Sequence, residues 1–318
     1  MIRYILKRVL AMIPVIIGVT ILIFTLLYFA KGEPAQMILG SDATLEEVEA
    51  LNAKLGLDKP YLERLTTYLK DVFLHLDLGR SYFNESSVTQ DVMQRFPITL
   101  KLALMSVTLA VLIGVPLGVI AAVKQHSWLD NTSMFAAIIG MSMPNFWLGI
   151  LLSLLFALQL RWFPPSGIGG LEYYVLPCLS IALGAACGIA RQTRSSMLEV
   201  IRQDYIVTAR AKGLSERTVI WRHALMNSLI PVITQIGFVF AGQSGGAVVA
   251  ETVFSIPGLG TYMITAIQKR DYPAVQGSVL ITSITFGIIM LLVDLIYAFI
   301  DPRIKAQYKG KSVKRLGR

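Results

Sequence analysis

The sequence predicts an all-α polytopic membrane protein with six transmembrane helices and both termini cytoplasmic. Its 318 residues are 54% hydrophobic and only 15% charged, too apolar for an ordinary soluble domain and too long for one anchor. A helix needs about 20 mostly apolar residues to cross roughly 30 Å of hydrocarbon. Six runs qualify, at 9–30, 98–123, 133–160, 174–190, 229–250 and 277–300, the fourth being the shortest and carrying Pro177. The third observation is where the cations fall.

Lysines and arginines beside span ends are retained on the cytoplasmic side. Arg3, Lys7 and Arg8 precede span one, Lys124 follows span two, and Arg191, Arg194, Arg202, Arg210, Lys212, Arg217 and Arg222 lie between spans four and five. Arg303, Lys305, Lys309, Lys311, Lys314, Arg315 and Arg318 follow span six. With six spans all share one side, so topology accounts for the net charge of +9 and no nucleic-acid partner is implied. The first run is too long for a signal h-region and lacks a small-residue cleavage site, so it reads as an uncleaved span. The chain divides into residues 1–30, an extracytoplasmic helical region at 31–97, a membrane core at 98–300 with a basic elbow at 191–228, and a basic tail at 301–318.

Region 31–97 is acidic on balance yet patterned to fold. Thr44 and Glu47 have capping-box spacing, and Gly56 suits a left-handed helix stop. Pro60 suits the first turn of a second helix, on which Leu62, Leu65, Leu69, Val72 and Leu76 form an apolar stripe. That stripe is expected to pack on the outer face of the membrane domain, with a soluble partner as the alternative. Gly114, Pro116 and Gly118 in span two, and Gly140, Pro144 and Gly149 in span three, permit close helix packing; a bent helix lining a pathway is the sharper reading, supported by Asn145 after Pro144. Arg161 and Trp162 are placed to anchor the outer end of span three.

Span five holds the small-residue run 241–247, in which Gln243 and Ser244 mean tight helix contact or a wet cavity. Gly242-Gln243-Ser244-Gly245 also matches an intramembrane serine-protease pattern, but His75, His126 and His223 all lie outside the spans, so no proton acceptor serves Ser244. Glu251 opens an outer loop running to Pro273, whose Pro257 and glycines predict a bent connection. It is a candidate for recognising a substrate amine, or simply an interfacial acid. Asp294, inside span six, calls for a protein partner or a transport role. Cys178 and Cys187 fall on opposite helix faces, which disfavours a disulfide or metal pair.

No phosphate-cradling Gly-x-x-x-x-Gly-Lys-Ser/Thr loop, His-Glu-x-x-His or metal-spaced Cys/His cluster occurs, so catalysis by this chain is not expected. Energy for active transport would come from an ion gradient or another polypeptide. The elbow at 204–231 is the docking candidate: a helix, a break at Gly213 and a second helix opening at Ser215, a residue suited to capping.

The elbow motif Tyr205-Ile-Val-Thr-Ala-Arg-Ala-Lys-Gly-Leu214, between spans four and five of six, resembles the cytoplasmic loop of binding-protein-dependent ABC importer permeases of the dipeptide, oligopeptide and nickel subfamily. Ile2-Arg-Tyr-Ile-Leu-Lys-Arg8, Leu55-Gly-Leu-Asp-Lys-Pro60, Asp77-Leu-Gly-Arg-Ser81, Arg95-Phe-Pro-Ile-Thr-Leu100, Glu251-Thr-Val-Phe254, Pro257-Gly-Leu-Gly260, Arg270-Asp-Tyr-Pro273 and Asp301-Pro-Arg303 extend the likeness over about residues 1–305. The general importer pattern has Glu-Ala-Ala before the glycine where this chain has Val207, Thr208 and Ala209, and Pro231 lies further downstream; no residue here supplies the coupling glutamate.

The resemblance implies a type I importer permease fold in a bacterial or archaeal inner membrane. It implies a heterodimer with a second homologous permease, two ATPase subunits that bind ATP and Mg, an extracytoplasmic solute-binding protein, and a peptide or similar small solute. This chain itself would need no cofactor. Tyr205, Thr208, Ala209, Arg210, Ala211, Lys212, Gly213 and Leu214 would couple to the ATPase: the small residues admit a close backbone, and Arg210 and Lys212 can pair with acids. Contact of those cations with membrane lipid is the plain alternative. Asn145, Gln243, Ser244, Glu251 and Asp294 are the pathway candidates. Nickel, a metal chelate or glutathione are alternative substrates, and a non-transporting receptor or scaffold is the rival class.

Overall fold

Residues 2–30, 34–40, 42–244 and 247–300 are described by the computed structural model. The basic tail with Asp301 and Arg303, and Gly245 and Gly246 of the small-residue run, lie outside the described residues. The elements in chain order are α1 (Ile2–Tyr28), α2 (Pro34–Leu39), α3 (Leu45–Leu55), α4 (Tyr61–Leu74), α5 (Val88–Val123), α6 (Trp128–Ser142), α7 (Asn145–Leu152) with a π-helical continuation Ser153–Gln159, and α8 (Glu172–Ile201). Then come α9 (Asp204–Ala211), α10 (Glu216–Thr218) running through a π-helical stretch Val219–Ala224 into α11 (Leu225–Ser244), α12 (Val248–Val253), α13 (Leu259–Lys269) and α14 (Tyr272–Ile300). The architecture is all-helical, as expected for a chain that must satisfy its backbone without water.

Among the described residues, five helices are long and apolar enough to cross a membrane: Ile5–Tyr28, Val88–Val123, Glu172–Ile201, Glu216–Ser244 and Tyr272–Tyr297. Span three of the sequence reading is not one rod. Trp128–Ser142 and Asn145–Gln159 meet at 100°, with the break at Met143 and Pro144. Proline lacks an N–H and pushes the preceding residue out of helical dihedrals, and Met143 is extended at φ −77°, ψ 127°. Pro97, Pro116 and Pro177 lie within continuous helices, so the bend belongs to this site.

α8 is the most buried span and α1 the least. α8 gains that position through glycine on its neighbours. A Cβ on Gly118 would lie 2.5 Å from the Ala190 carbonyl oxygen and from Thr193 Cβ, and one on Gly114 would lie 2.6 Å from the Ala186 carbonyl oxygen. A Cβ on Gly140 of α6 would lie 2.6 Å from Cys187 Sγ. The glycines of spans two and three therefore serve close packing, and only Pro144 makes a bend.

Several boundaries differ from the hydropathy reading: α8 runs on to Ile201, past residue 190, and the rod ending in α11 begins at Glu216, before residue 229, while two further differences have a local cause. α5 starts at Val88, well before residue 98, because Ser87 caps it and Val88 and Val92 are fully buried in the outer core with Leu78 and Val275. α11 stops at Ser244, and residues 248–250 belong to α12, a separate helix held by Glu251. That carboxylate accepts from Thr99 Oγ1 at 2.5 Å and from the Thr261 N–H at 2.9 Å, while Thr99 Oγ1 accepts from the Leu259 N–H at 2.8 Å.

In the helical layer of residues 34–87 the capping box at α3 forms as expected: Glu47 N–H donates to Thr44 Oγ1 and Thr44 N–H to Glu47 Oε2, with Gly56 closing the helix at φ +65°. α4 does pack on the membrane domain, and by the middle of the expected stripe. Leu65 and Val72 are buried and Tyr68 stacks on Phe24, whereas Leu62 and Leu76 are exposed. The Tyr61 hydroxyl meets Thr25 Oγ1 at 2.8 Å. Tyr61 and Tyr68, each within one turn of Leu65, extend that face toward α1, while Leu76 lies beyond the end of α4. Asp271 pins the 77–87 segment, accepting from Ser81 Oγ at 2.5 Å and from the Tyr82 N–H at 3.1 Å.

Gly118→Ala is expected to destabilise by about 1–3 kcal/mol through overpacking against α8. Thermal unfolding of the purified protein in detergent checks this, and an unchanged midpoint would remove glycine packing as the basis of the α5–α8 contact.

Candidate functional site

The elbow is built from a short helix with one anchored face. α9 begins after Gln203, whose dihedrals are extended, and its exit is set by Gly213 at φ +78°, a conformation that L side chains rarely adopt. Ile206 and Ala209, three residues apart and so on one face, are buried in a cluster with Val119, Ala122, Met197, Val219 and Ile220. Tyr205, Thr208, Arg210, Ala211, Lys212, Gly213 and Leu214 are exposed. Of the eight expected docking residues, Ala209 thus points inward and seven remain on the surface.

The electrostatics differ from the expectation at Arg210. Its Nε donates to Glu216 Oε2 at 3.1 Å and its Nη2 to Oε1 at 2.6 Å, so the guanidinium is forked within the elbow. That hydrogen bonding holds Arg210 above its already high ordinary pKa. Lys212 makes no ion pair among the described residues, and burial pushes the Tyr205 phenol up, leaving it neutral near pH 7. Ser215 has cap dihedrals, but its hydroxyl pairs with Thr218 Oγ1 at 2.9 Å and not with a backbone N–H.

The pathway candidates separate into two groups. Asn145 is exposed at the start of α7, just past the bend, and its Oδ1 is the nearest atom to the Cα face of Gly184 on α8, 3.5 Å from where a Cβ would stand. Gln243 is half-buried near the end of α11. Ser244 is buried and donates to the Phe240 carbonyl at 2.8 Å. Glu251 is fully buried in the Thr99–Thr261 cluster, and Asp294 pairs with Arg8 of α1 at 3.0 Å. Those three acids and hydroxyls are satisfied inside the chain.

Sequence reasoning passed over Gln235, whose Nε2 lies 3.6 Å from the Cβ position of Gly188. Gly184 and Gly188 are four apart, so Asn145 and Gln235 approach the same small-residue face of α8 one turn apart. The signal available was Gly-x-x-x-Gly in span four facing polar residues in spans three and five.

Fold and site together define a helical membrane subunit whose only large wet feature between spans four and five is an anchored elbow. The chain belongs to the family of binding-protein-dependent transport system inner membrane components, matched over residues 114–306, with the N-terminal module of the same family over 1–103. It is 43% identical over 309 residues to a peptide transport system permease protein of Brucella abortus, covering 95% of this chain and 98% of that one. It is 39% identical to the dipeptide transport system permease protein DppB of Alkalihalophilus pseudofirmus (96% and 100% covered) and 38% to the glutathione transport system permease protein GsiC of Escherichia coli K12 (96% and 99% covered). The solved MetNI methionine ABC transporter, in an inward-facing conformation, shares the fold at TM-score 0.56 and 20% identity, covering 67% of this chain and 97% of that one. The chain is therefore a multi-pass, non-catalytic ABC importer permease that works with ATPase and binding-protein partners, which replaces the receptor reading.

Ile206→Ala should cost about 2–5 kcal/mol locally by emptying the anchor of α9. The expected result is faster proteolysis after Arg210, Lys212 and Arg217, read by timed trypsin digestion, with the span fragments unchanged.

Proposed function

We propose that this chain is one permease half of an importer for di- or oligopeptides, paired with a second homologous permease and two ATPase subunits. The carrying observation is the two-faced elbow: Ile206 and Ala209 tie α9 to the ends of α5 and α8, while Tyr205, Thr208, Ala211 and Lys212 face outward. Lys212 is the cation available for an acid on the ATPase, because Arg210 is held by Glu216. The cation distribution supports placing the elbow and both termini in the cytoplasm. The outer layer, 34–97 with α12 and α13, then faces the binding protein. Peptide as substrate rests on the named relatives, and the glutathione relative makes that modified tripeptide the second reading.

In the cycle, ATP binding draws two such elbows together. The anchored face of α9 moves the ends of α5 and α8 with it, and a rigid-body tilt opens the pathway outward to the docked binding protein. Hydrolysis resets the pair. Asn145, Gln235 and Gln243 are the proposed polar lining, the first two set against the Gly184 and Gly188 face of α8. The recess of about 460 Å³ inside the bend, lined by Ile138, Met143, Pro144 and Trp147, supports a partner helix there.

Two outcomes are expected from proteoliposomes holding the complete complex. Labelled dipeptide enters on ATP addition and is competed by unlabelled oligopeptide; uptake of a nickel chelate in its place would sink the peptide reading. Gly213→Trp, at φ +78°, carries about 1–3 kcal/mol of backbone strain and should abolish both ATPase co-purification and uptake.

A further inference from the structure

At the elbow end of the bundle, one carboxylate is held by more donors than any apolar contact around it explains. Asp130 of α6 is 1% exposed. Arg194 of α8 grips it with Nε to Oδ1 at 2.5 Å and Nη2 to Oδ2 at 2.7 Å, and the His126 N–H adds 2.9 Å to Oδ2. The 124–127 turn that delivers Asp130 passes through His126 at φ +63°, a left-handed conformation costly for a non-glycine residue. A second grip lies beside it, Arg202 Nη2 to Gln125 Oε1 at 3.4 Å. Arg202 caps α8 directly before the elbow.

Beyond the fork, α6 packs on α8 where Gly140 meets Cys187 too closely for a Cβ. Asp130 and Ala137 are its buried residues, while Phe135 and Ile138 are 66% and 59% exposed. Small-residue packing sets how closely α6 and α8 approach, whereas a directional contact is needed to fix their relative angle. The bidentate fork supplies one, since a planar guanidinium fixes angle as well as distance. Downstream, α6 leads straight into the bend at Met143 and Pro144, and then to Asn145.

Resting on the importer reading above, we infer that the Asp130–Arg194 fork is the strut that carries movement of the elbow into the broken span α6–α7. Both are positioning residues: they touch neither solute nor nucleotide, and they make the bend follow α8 when α9 is pulled. Without the fork the ATPase pair still closes, but the bent span lags and the pathway opens incompletely. An ion pair that served stability alone would lower assembly, hydrolysis and uptake together.

The test is Asp130→Asn in the complete complex in proteoliposomes, with labelled dipeptide uptake and ATP hydrolysis measured on the same vesicles. The expected result is a fall of at least about fivefold in peptide taken up per ATP hydrolysed, the lower bound of ordinary coupling between sites. Hydrolysis without binding protein should stay at its wild-type rate, and the ATPase subunits should still co-purify. Arg194→Lys keeps the charge but loses the fork, and should uncouple in the same direction; it decides the matter if Asp130→Asn does not assemble. A proportional loss of uptake and hydrolysis, or no change in their ratio for the variant that assembles, overturns the strut. Failure of the wild-type complex to take up peptide on ATP would instead overturn the importer reading.

Discussion

The close approach of α5 and α8 is the constraint on which the rest of this molecule depends. Gly114 and Gly118 bring α5 within contact of the Ala186 and Ala190 carbonyls, a distance at which any side chain on α5 would collide. In lipid there is little hydrophobic gain from burying one apolar helix against another, so tight packing of small residues is what holds spans together. With α5 seated, α8 becomes the axis against which α6, α7 and α11 lie, and its two ends carry the outer layer and the elbow.

The outer layer is held by a different device. Glu251 and Asp271 are both nine-tenths or more buried, and each accepts one hydroxyl and at least one backbone N–H from a distant segment. A buried carboxylate is costly unless its lone pairs are filled, and here filling them requires the segments to meet in one arrangement. The donors to Glu251 come from α5 and the start of α13, and those to Asp271 come from the 77–87 segment. Burial pushes the Tyr82 phenol, next to that pin, up to about 12, so it stays neutral throughout the physiological range. The result is a layer that rides on the outer ends of α5, α13 and α14 as one piece.

At the opposite end the elbow is seated by apolar contact. α9 is fastened by two small apolar residues, Ile206 and Ala209, while its polar face is left wet. Arg210 is forked onto Glu216 within the elbow, while Lys212 makes no ion pair among the described residues. The fork between Asp130 and Arg194 sits one layer further in, linking the broken span α6–α7 to the helix that continues into the elbow. Anchor, fork and bend thus lie in series along a single route from wet surface to span interior.

The sequence by itself determined what depends on neighbours along the chain. Six apolar runs, the capping box of Thr44 and Glu47, the left-handed Gly56 and Gly213, and the elbow motif are all legible because hydropathy, caps and turns act within one or two helical turns. Tertiary structure decided which polar groups face each other. That Glu251 meets Thr99, that Asp294 meets Arg8, that Tyr61 of α4 meets Thr25, and that Arg194 seeks Asp130 are contacts between residues far apart in the chain. No local periodicity encodes such pairings, because each is set by where close helix packing happens to leave a donor beside a carboxylate. Pro144 shows the boundary between the two: its chemistry permits a break, but only the seating of α6 and α7 around α8 made this proline, and not Pro97, Pro116 or Pro177, the point where a span turns.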